Sequence, residues 1–139
     1  MRALPELERI SDYVHHYATA SPKHLALAEN GRRVDYESFH EHVEGAARAL
    51  LAYGLRRGDR VAMLCPPSID FYVVYMATAS IGGIWLGLNP SHRLEELLYV
   101  IKDAKPRILI SRIHIRERDY TDELAALMHE DHGVEQLVT

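Results

Sequence analysis

Residues 81–111, IGGIWLGLNPSHRLEELLYVIKDAKPRILIS, constrain the fold more than any other part of the chain. An apolar run turns over at Asn89-Pro90 and enters a charged segment of helical period. There Leu94, Leu97, Leu98 and Ile101 make one apolar stripe, and Glu95 and Glu96 fall in the first turn, where negative charge suits the helix dipole. Ser91 is the expected N-cap, and Pro106 closes the helix before a second short apolar run, residues 107–111. The unit reads as strand, helix, strand. Connections this short favour parallel strands joined by right-handed crossovers.

The same alternation extends in both directions. Val61–Cys65 is short, apolar and uninterrupted, as a strand buried on both faces should be. Pro66-Pro67 ends it, Ser68 caps the next helix, and Asp70 lies in that helix's first turn. Residues 83–88 form the following strand. A last helix over about 120–130 buries Leu124, Leu127 and Met128, and Gly133 stops it before a final strand within 134–139. From residue 61 the order is β-α-β-α-β-α-β, an α/β fold of βαβ units on a mainly parallel sheet. Because the chain closes on a strand, a layer with one uncovered face is expected. Residues 1–139 then read as one incomplete domain with no second domain, the opening section of something longer.

Upstream, Leu7, Ile10, Val14, Tyr17 and Ala18 recur at helical spacing, and Ser21-Pro22 ends that helix. Residues 24–30 and 32–36 flank Gly31 and read as a short β-hairpin around an Asn30-Gly31 turn. Phe39, Val43, Ala46, Ala47, Leu50 and Leu51 make the clearest helical stripe, Glu44 and Arg48 pair on its polar side, and Gly54 is its stop.

Composition excludes several classes. A formal net charge of −4 leaves no basic footprint for nucleic acid. One cysteine, Cys65, rules out an internal disulfide framework and suits a reducing, cytoplasmic setting. The N-terminal stretch has acidic residues and no continuous apolar core, unlike a secretory leader. Residues 71–91 carry no charge and are nearly long enough to span a bilayer. Gly82-Gly83 splits the run, however, and Thr78, Ser80 and Asn89-Pro90 would be costly in lipid. A buried helix followed by a buried strand is expected instead, with no transmembrane segment.

The residues carry little recognisable chemistry. Neither common phosphate-loop pattern occurs, and Gly82, Gly83 and Gly87 read as close backbone packing. Cys65 sits at a strand's carboxyl end, where open α/β sheets bind ligands. No neighbour in sequence would activate it, so it reads as a structural thiol. The histidine clusters His15-His16, His40-Glu41-His42 and His129-Glu130-Asp131-His132 lack metal-ligand spacing and read as solvated faces. Arg57-Gly58-Asp59 reads as a turn. No carboxylate pair is placed as general acid and base. The residues therefore nominate no catalytic, cofactor-binding or metal site.

The order of features resembles the N-terminal section of the adenylate-forming (AMP-binding) superfamily. Val34-Asp35-Tyr36-Glu37-Ser38-Phe39 is similar to its first motif, and Gly54-Leu55-Arg56-Arg57-Gly58-Asp59-Arg60-Val61 to its Gly-x-x-x-Gly-Asp-x-Val turn. Gly82-Gly83-Ile84-Trp85-Leu86-Gly87-Leu88-Asn89-Pro90 is similar to the second motif, and Glu96-Leu97 to the Glu-Leu that follows. Pro66-Pro67-Ser68 stands where the family often has Pro-Asn-Ser, and Gly87 where it often has Pro. Members include acyl-CoA synthetases, peptide-synthetase adenylation domains and luciferases. The Ile84–Pro90 run and the Arg93–Leu97 helix look more like the CoA ligases.

The resemblance implies that an intact enzyme activates a carboxylic or fatty acid with Mg-ATP and passes the acyl group to CoA. It also implies that the phosphate loop with its Lys, the Tyr-Gly-x-Thr-Glu segment, the ribose-binding Asp and the C-terminal catalytic Lys lie downstream. No family catalytic residue carries over to any of the 139 positions. This section is expected to bind none of ATP, Mg or CoA by itself. Two further readings are a stand-alone non-catalytic module that pairs or self-associates through its incomplete sheet, and a small-ligand site near Cys65-Pro66-Pro67 and Asn89-Pro90.

Overall fold

The structure is a computed structural model that describes residues 5–139; the N-terminal stretch read for a leader begins in residues 1–4, outside the described residues. Helix α1 (Asp12–Ala20) precedes an antiparallel hairpin, β1 (Leu25–Glu29) and β2 (Arg32–Asp35). Helix α2 (Tyr36–Ala52) follows, then β3 (Arg60–Leu64), α3 (Ile69–Ser80), β4 (Ile84–Leu88), α4 (Leu94–Ala104) and β5 (Ile108–Ser111). A small hairpin, β6 (His114–Ile115) and β7 (Arg118–Asp119), leads to α5 (Thr121–Leu127), a 3-10 turn at Glu130–His132, and β8 (Gln136–Val138). The central sheet has the order β4-β3-β5-β8, and every pair in it is parallel.

The expected uncovered face is not observed. On one side Val61 and Ile108 pack with Phe39, Val43, Ala47 and Leu50 of α2 and with Ile69 and Ala77 of α3. On the other, Ala62, Leu64 and Leu109 pack with Leu97 and Ile101 of α4 and Leu124 and Leu127 of α5. Alternation along β3 sends successive side chains to opposite faces, and right-handed crossovers place helices on both. What stays open is the pair of edges, β4 and β8. The run after α3 is accordingly not a strand buried on both faces: Ile84 on edge strand β4 is 49% exposed.

Both turns into the sheet are glycine-built. Helix α2 ends with Gly54 at φ +85°, its N–H donating to Leu51 O and the Leu55 N–H to Leu50 O. Helix α3 ends the same way, with Gly82 at φ +75° bonded to Ala79 O and Gly83 N to Thr78 O. Both are Schellman closures, in which the left-handed residue favours glycine. The Asn30-Gly31 turn has both residues at positive φ, as a tight hairpin of this hand requires.

Several boundaries differ from expectation. Helix α1 starts at Asp12, so Leu7 and Ile10 precede it. Leu51 belongs to the outer side of α2 and is 52% exposed. Ser91 does not cap α4. Its N–H bonds to Asn89 Oδ1 in a local turn, and the N-cap is Arg93, whose N–H donates to Glu96 Oε2 at 2.7 Å. The last helix stops at Leu127 and Met128 is half-buried. The β6–β7 hairpin was not expected, because its turn uses Arg116 at φ +57° and no Gly, Asn or Pro. No helix among the described residues is long and apolar enough to cross a membrane.

Candidate functional site

The carboxyl ends of β3, β4 and β5 open on one side of the sheet, where α/β folds hold ligands. Pro66-Pro67 leaves β3 there, Asn89-Pro90-Ser91 leaves β4, and the β6–β7 hairpin rises after β5. Together they line a cavity of about 410 Å³ with Ile115, Arg116, Glu117, Arg118 and Tyr120. The two dipeptides singled out in the sequence thus share one hollow. Its far wall was not legible, because the hairpin carries no turn signal.

Tyr120 ties that wall to the strand ends, its hydroxyl donating to Pro90 O at 2.7 Å. The Arg118 guanidinium lies 4.6 Å from the Tyr120 ring centroid and pairs with Glu123, a cation–π contact combined with an ion pair. That pairing lowers the Glu123 carboxyl, and the hydroxyl and N–H of Thr121 lower Asp119. These groups hold one another and brace the loop.

Cys65 does not line the cavity. Its buried thiol stands 3.1 Å from Pro66 O and 3.5 Å from Ser68 Oγ, in keeping with a structural role.

Helices α3 and α4 both begin at this end of the sheet, and a helix N-terminus is a ready phosphate site. Part of each start is engaged by the chain's own side chains. Ile69 N donates to Glu29 Oε2 at 3.0 Å and Phe71 N to Ser68 Oγ at 3.1 Å. On α4 the Glu96 carboxylate takes Arg93 N. Two arginines, Arg116 and Arg118, line the cavity, and no lysine does.

The Arg57-Gly58-Asp59 turn is architectural: Asp59 Oδ2 accepts from Arg56 N at 2.7 Å and from Arg107 Nη1 at 3.1 Å. The Arg56 N–H first, and then Arg107, hold its carboxyl below the ordinary range. His129 and His132 do approach, with ring centroids 5.6 Å apart, but His132 is buried and its Nδ1 lies 3.3 Å from Leu127 O. His15 and His40, from different clusters 25 residues apart, meet across α1 and α2 at 3.2 Å, which spacing within one segment could not reveal. No group of three or more His, Cys, Asp or Glu side chains among the described residues is set to hold a metal ion.

A sequence model of the AMP-binding enzyme family matches residues 14–139. The chain belongs to this family. It is 30% identical over 106 residues to the mitochondrial medium-chain acyl-CoA ligase ACSF2 of Danio rerio, covering 76% of this chain and 18% of that protein. It is 33% identical over 108 residues to the vanchrobactin synthetase VabF of Vibrio anguillarum, covering 78% of this chain and 4% of that one. Among solved structures, the N-terminal domain of FACL13 from Mycobacterium tuberculosis superposes with a TM-score of 0.84 at 22% identity, over 95% of this chain and 34% of that one. That likeness establishes the adenylate-forming fold. The chain spans a minor part of the proteins it matches, 18% of the ACSF2 ligase and 4% of VabF.

Proposed function

We propose that these residues are the opening section of an AMP-forming acyl-CoA synthetase and scaffold a reaction centre built elsewhere in the enzyme. The enzyme would join a carboxylic acid to ATP, forming an acyl adenylate and releasing pyrophosphate. It would then transfer the acyl group to the CoA thiol with loss of AMP. Cytoplasmic placement and a role in fatty-acid metabolism belong to the same reading.

The observation that carries the scaffold role is the state of the strand ends. At the start of α3 the Ile69 and Phe71 N–H groups, donors that could otherwise meet transferring charge, are taken by Glu29 and Ser68. None of the 139 positions is assigned a catalytic, nucleotide-binding or metal-binding role.

The CoA-ligase assignment rests on the Ile84–Pro90 run and the Arg93–Leu97 segment. Its test is an enzyme that carries these residues, supplied with ATP and either aliphatic acids or amino acids. Acid-dependent formation of a CoA thioester supports the assignment. Pyrophosphate exchange that depends on an amino acid, with no thioester formed, overturns it in favour of a peptide-synthetase domain.

A further inference from the structure

Strand β4 has no neighbour on its outer side among the described residues. Its Ile84 N–H donates inward to Asp59 O at 2.8 Å. Alternation along the strand therefore turns the main-chain groups of Trp85 and Gly87 outward. Natural sheets guard such an edge with charge, proline, a bulge or short length. Strand β8, the other edge of the sheet, has three residues. Strand β1 of the first hairpin carries a bulge between Leu25 and Leu27 and ends on Glu29. Strand β4 has five residues, Ile-Trp-Leu-Gly-Leu, and none of these devices.

The flank of this edge is as uncharged as the strand. Residues 71–91 hold no Asp, Glu, Lys or Arg. On α3, Phe71 and Tyr75 pack on the Trp85 ring at centroid distances of 4.5 and 5.2 Å, and Tyr72 extends the cluster outward. Tyr72 is 41% exposed. The outer sides of the neighbouring helices differ, with Glu41, Glu44 and Arg48 exposed on α2 and Glu95, Lys102 and Asp103 on α4. Those are solvated faces. A helix that is apolar all round belongs to the interior of a larger body.

The FACL13 domain indicates what that body is. It repeats this fold over 95% of the chain, which is 34% of its own length, so most of that domain is further polypeptide packed with a section of this kind. The uncharged side of the section is where such packing costs least, because a charge buried without a partner is expensive.

We propose that the β4 edge and its aromatic flank dock a further strand of the same enzyme, one with apolar side chains on both faces, which extends the sheet beyond β4. This rests on reading residues 1–139 as an enzyme's opening section, and is independent of which acid the enzyme activates.

Amide hydrogen exchange at Trp85 and Gly87 tests it, in the 139-residue chain and in an enzyme that carries this section. The Leu86 amide, which faces β3, is the reference. In the enzyme, Trp85 and Gly87 are expected to exchange as slowly as Leu86. In the 139-residue chain they should exchange about tenfold faster than Leu86 or more. Fast exchange at both positions in the enzyme overturns the proposal. So does slow exchange in the 139-residue chain, and slowing that grows with concentration there assigns the edge to a second copy. Ile84→Lys is expected to lower the thermal midpoint of the enzyme by several degrees and to leave that of the 139-residue chain unchanged. Equal shifts in the two overturn the docking. An enzyme that forms aminoacyl adenylates and no thioester would overturn the CoA-ligase assignment while leaving these exchange results as expected.

Discussion

The guanidinium of Arg107 reaches 48 residues back along the chain to the carboxylate of Asp59, Nη1 lying 3.1 Å from Oδ2. The same nitrogen donates to Gly54 O at 2.7 Å, and Nε donates to Glu135 Oε2 at 2.7 Å. One side chain therefore joins the end of α2, the turn before β3, the start of β5 and the approach to β8. Replacing Arg107 with Ala should lower the thermal midpoint by several degrees, about 3–6 °C for a domain of this size. Lys should recover little, because a single ammonium cannot reproduce the planar fork. Calorimetry of the two variants checks this.

Acid should weaken the fold in a defined direction. The carboxyls of Asp35, Asp59, Asp119 and Glu123 all hold their protons less tightly than free carboxyls do. For Asp35 the leading cause is the Ser38 N–H at the start of α2. A carboxyl lowered in the folded state stabilises it above its unfolded value near 4, and that contribution is lost as pH falls through the lower folded value. Unfolding followed against pH should show stability independent of these groups from about pH 5 upward and declining below about pH 4. Asp59→Asn should flatten that decline.

Gly83 and Gly87 are close-packing positions of different kinds. A Cβ at Gly83 would lie 2.9 Å from Thr78 Cγ2 and 3.2 Å from Thr78 O, against backbone that cannot yield. Gly83→Ala should cost about 1–3 kcal/mol by overpacking. At Gly87 the obstacle is the Trp85 ring at 2.6 Å, a side chain that lies over the glycine and packs edge-on against Phe71. Gly87→Ala should displace that ring and shift the emission of the one tryptophan in the chain. Denaturation curves for the first variant and fluorescence spectra for the second separate the two cases.

Lys105 closes α4 at φ 47° and ψ 59°, a left-handed conformation that costs a side-chain-bearing residue about 1–2 kcal/mol. Lys105→Gly removes most of that strain against some added chain entropy. Equilibrium denaturation should show a gain of about 1 kcal/mol or less.

Much of the fold was legible because hydrophobic period and punctuation agree. The stripes of α2 and α4, the apolar run of β3 and the stops at Gly54 and Pro106 each have a single physical reading. What was not legible depended on partners distant in sequence. Nothing local at Ser91 shows that Asn89 would occupy its N–H while Glu96 caps α4 from within. The β6–β7 turn hides in Arg116 because a left-handed arginine carries no sequence signal. The second helical layer could not be counted from the strand order alone, so the covered face was missed. At the strand ends, Pro66-Pro67 and Asn89-Pro90 were readable as neighbours of a hollow. The Glu29 carboxylate that takes Ile69 N comes from 40 residues upstream, and the Tyr120 brace from 30 residues downstream of Pro90.

The most direct test of the scaffold role is ATP–pyrophosphate exchange by residues 1–139 in purified form, with an enzyme that carries this section as the positive control. No acid-dependent exchange above background is expected from the 139 residues, and measurable exchange from the control. Exchange by the 139 residues alone would contradict the scaffold role and place a reaction centre within them.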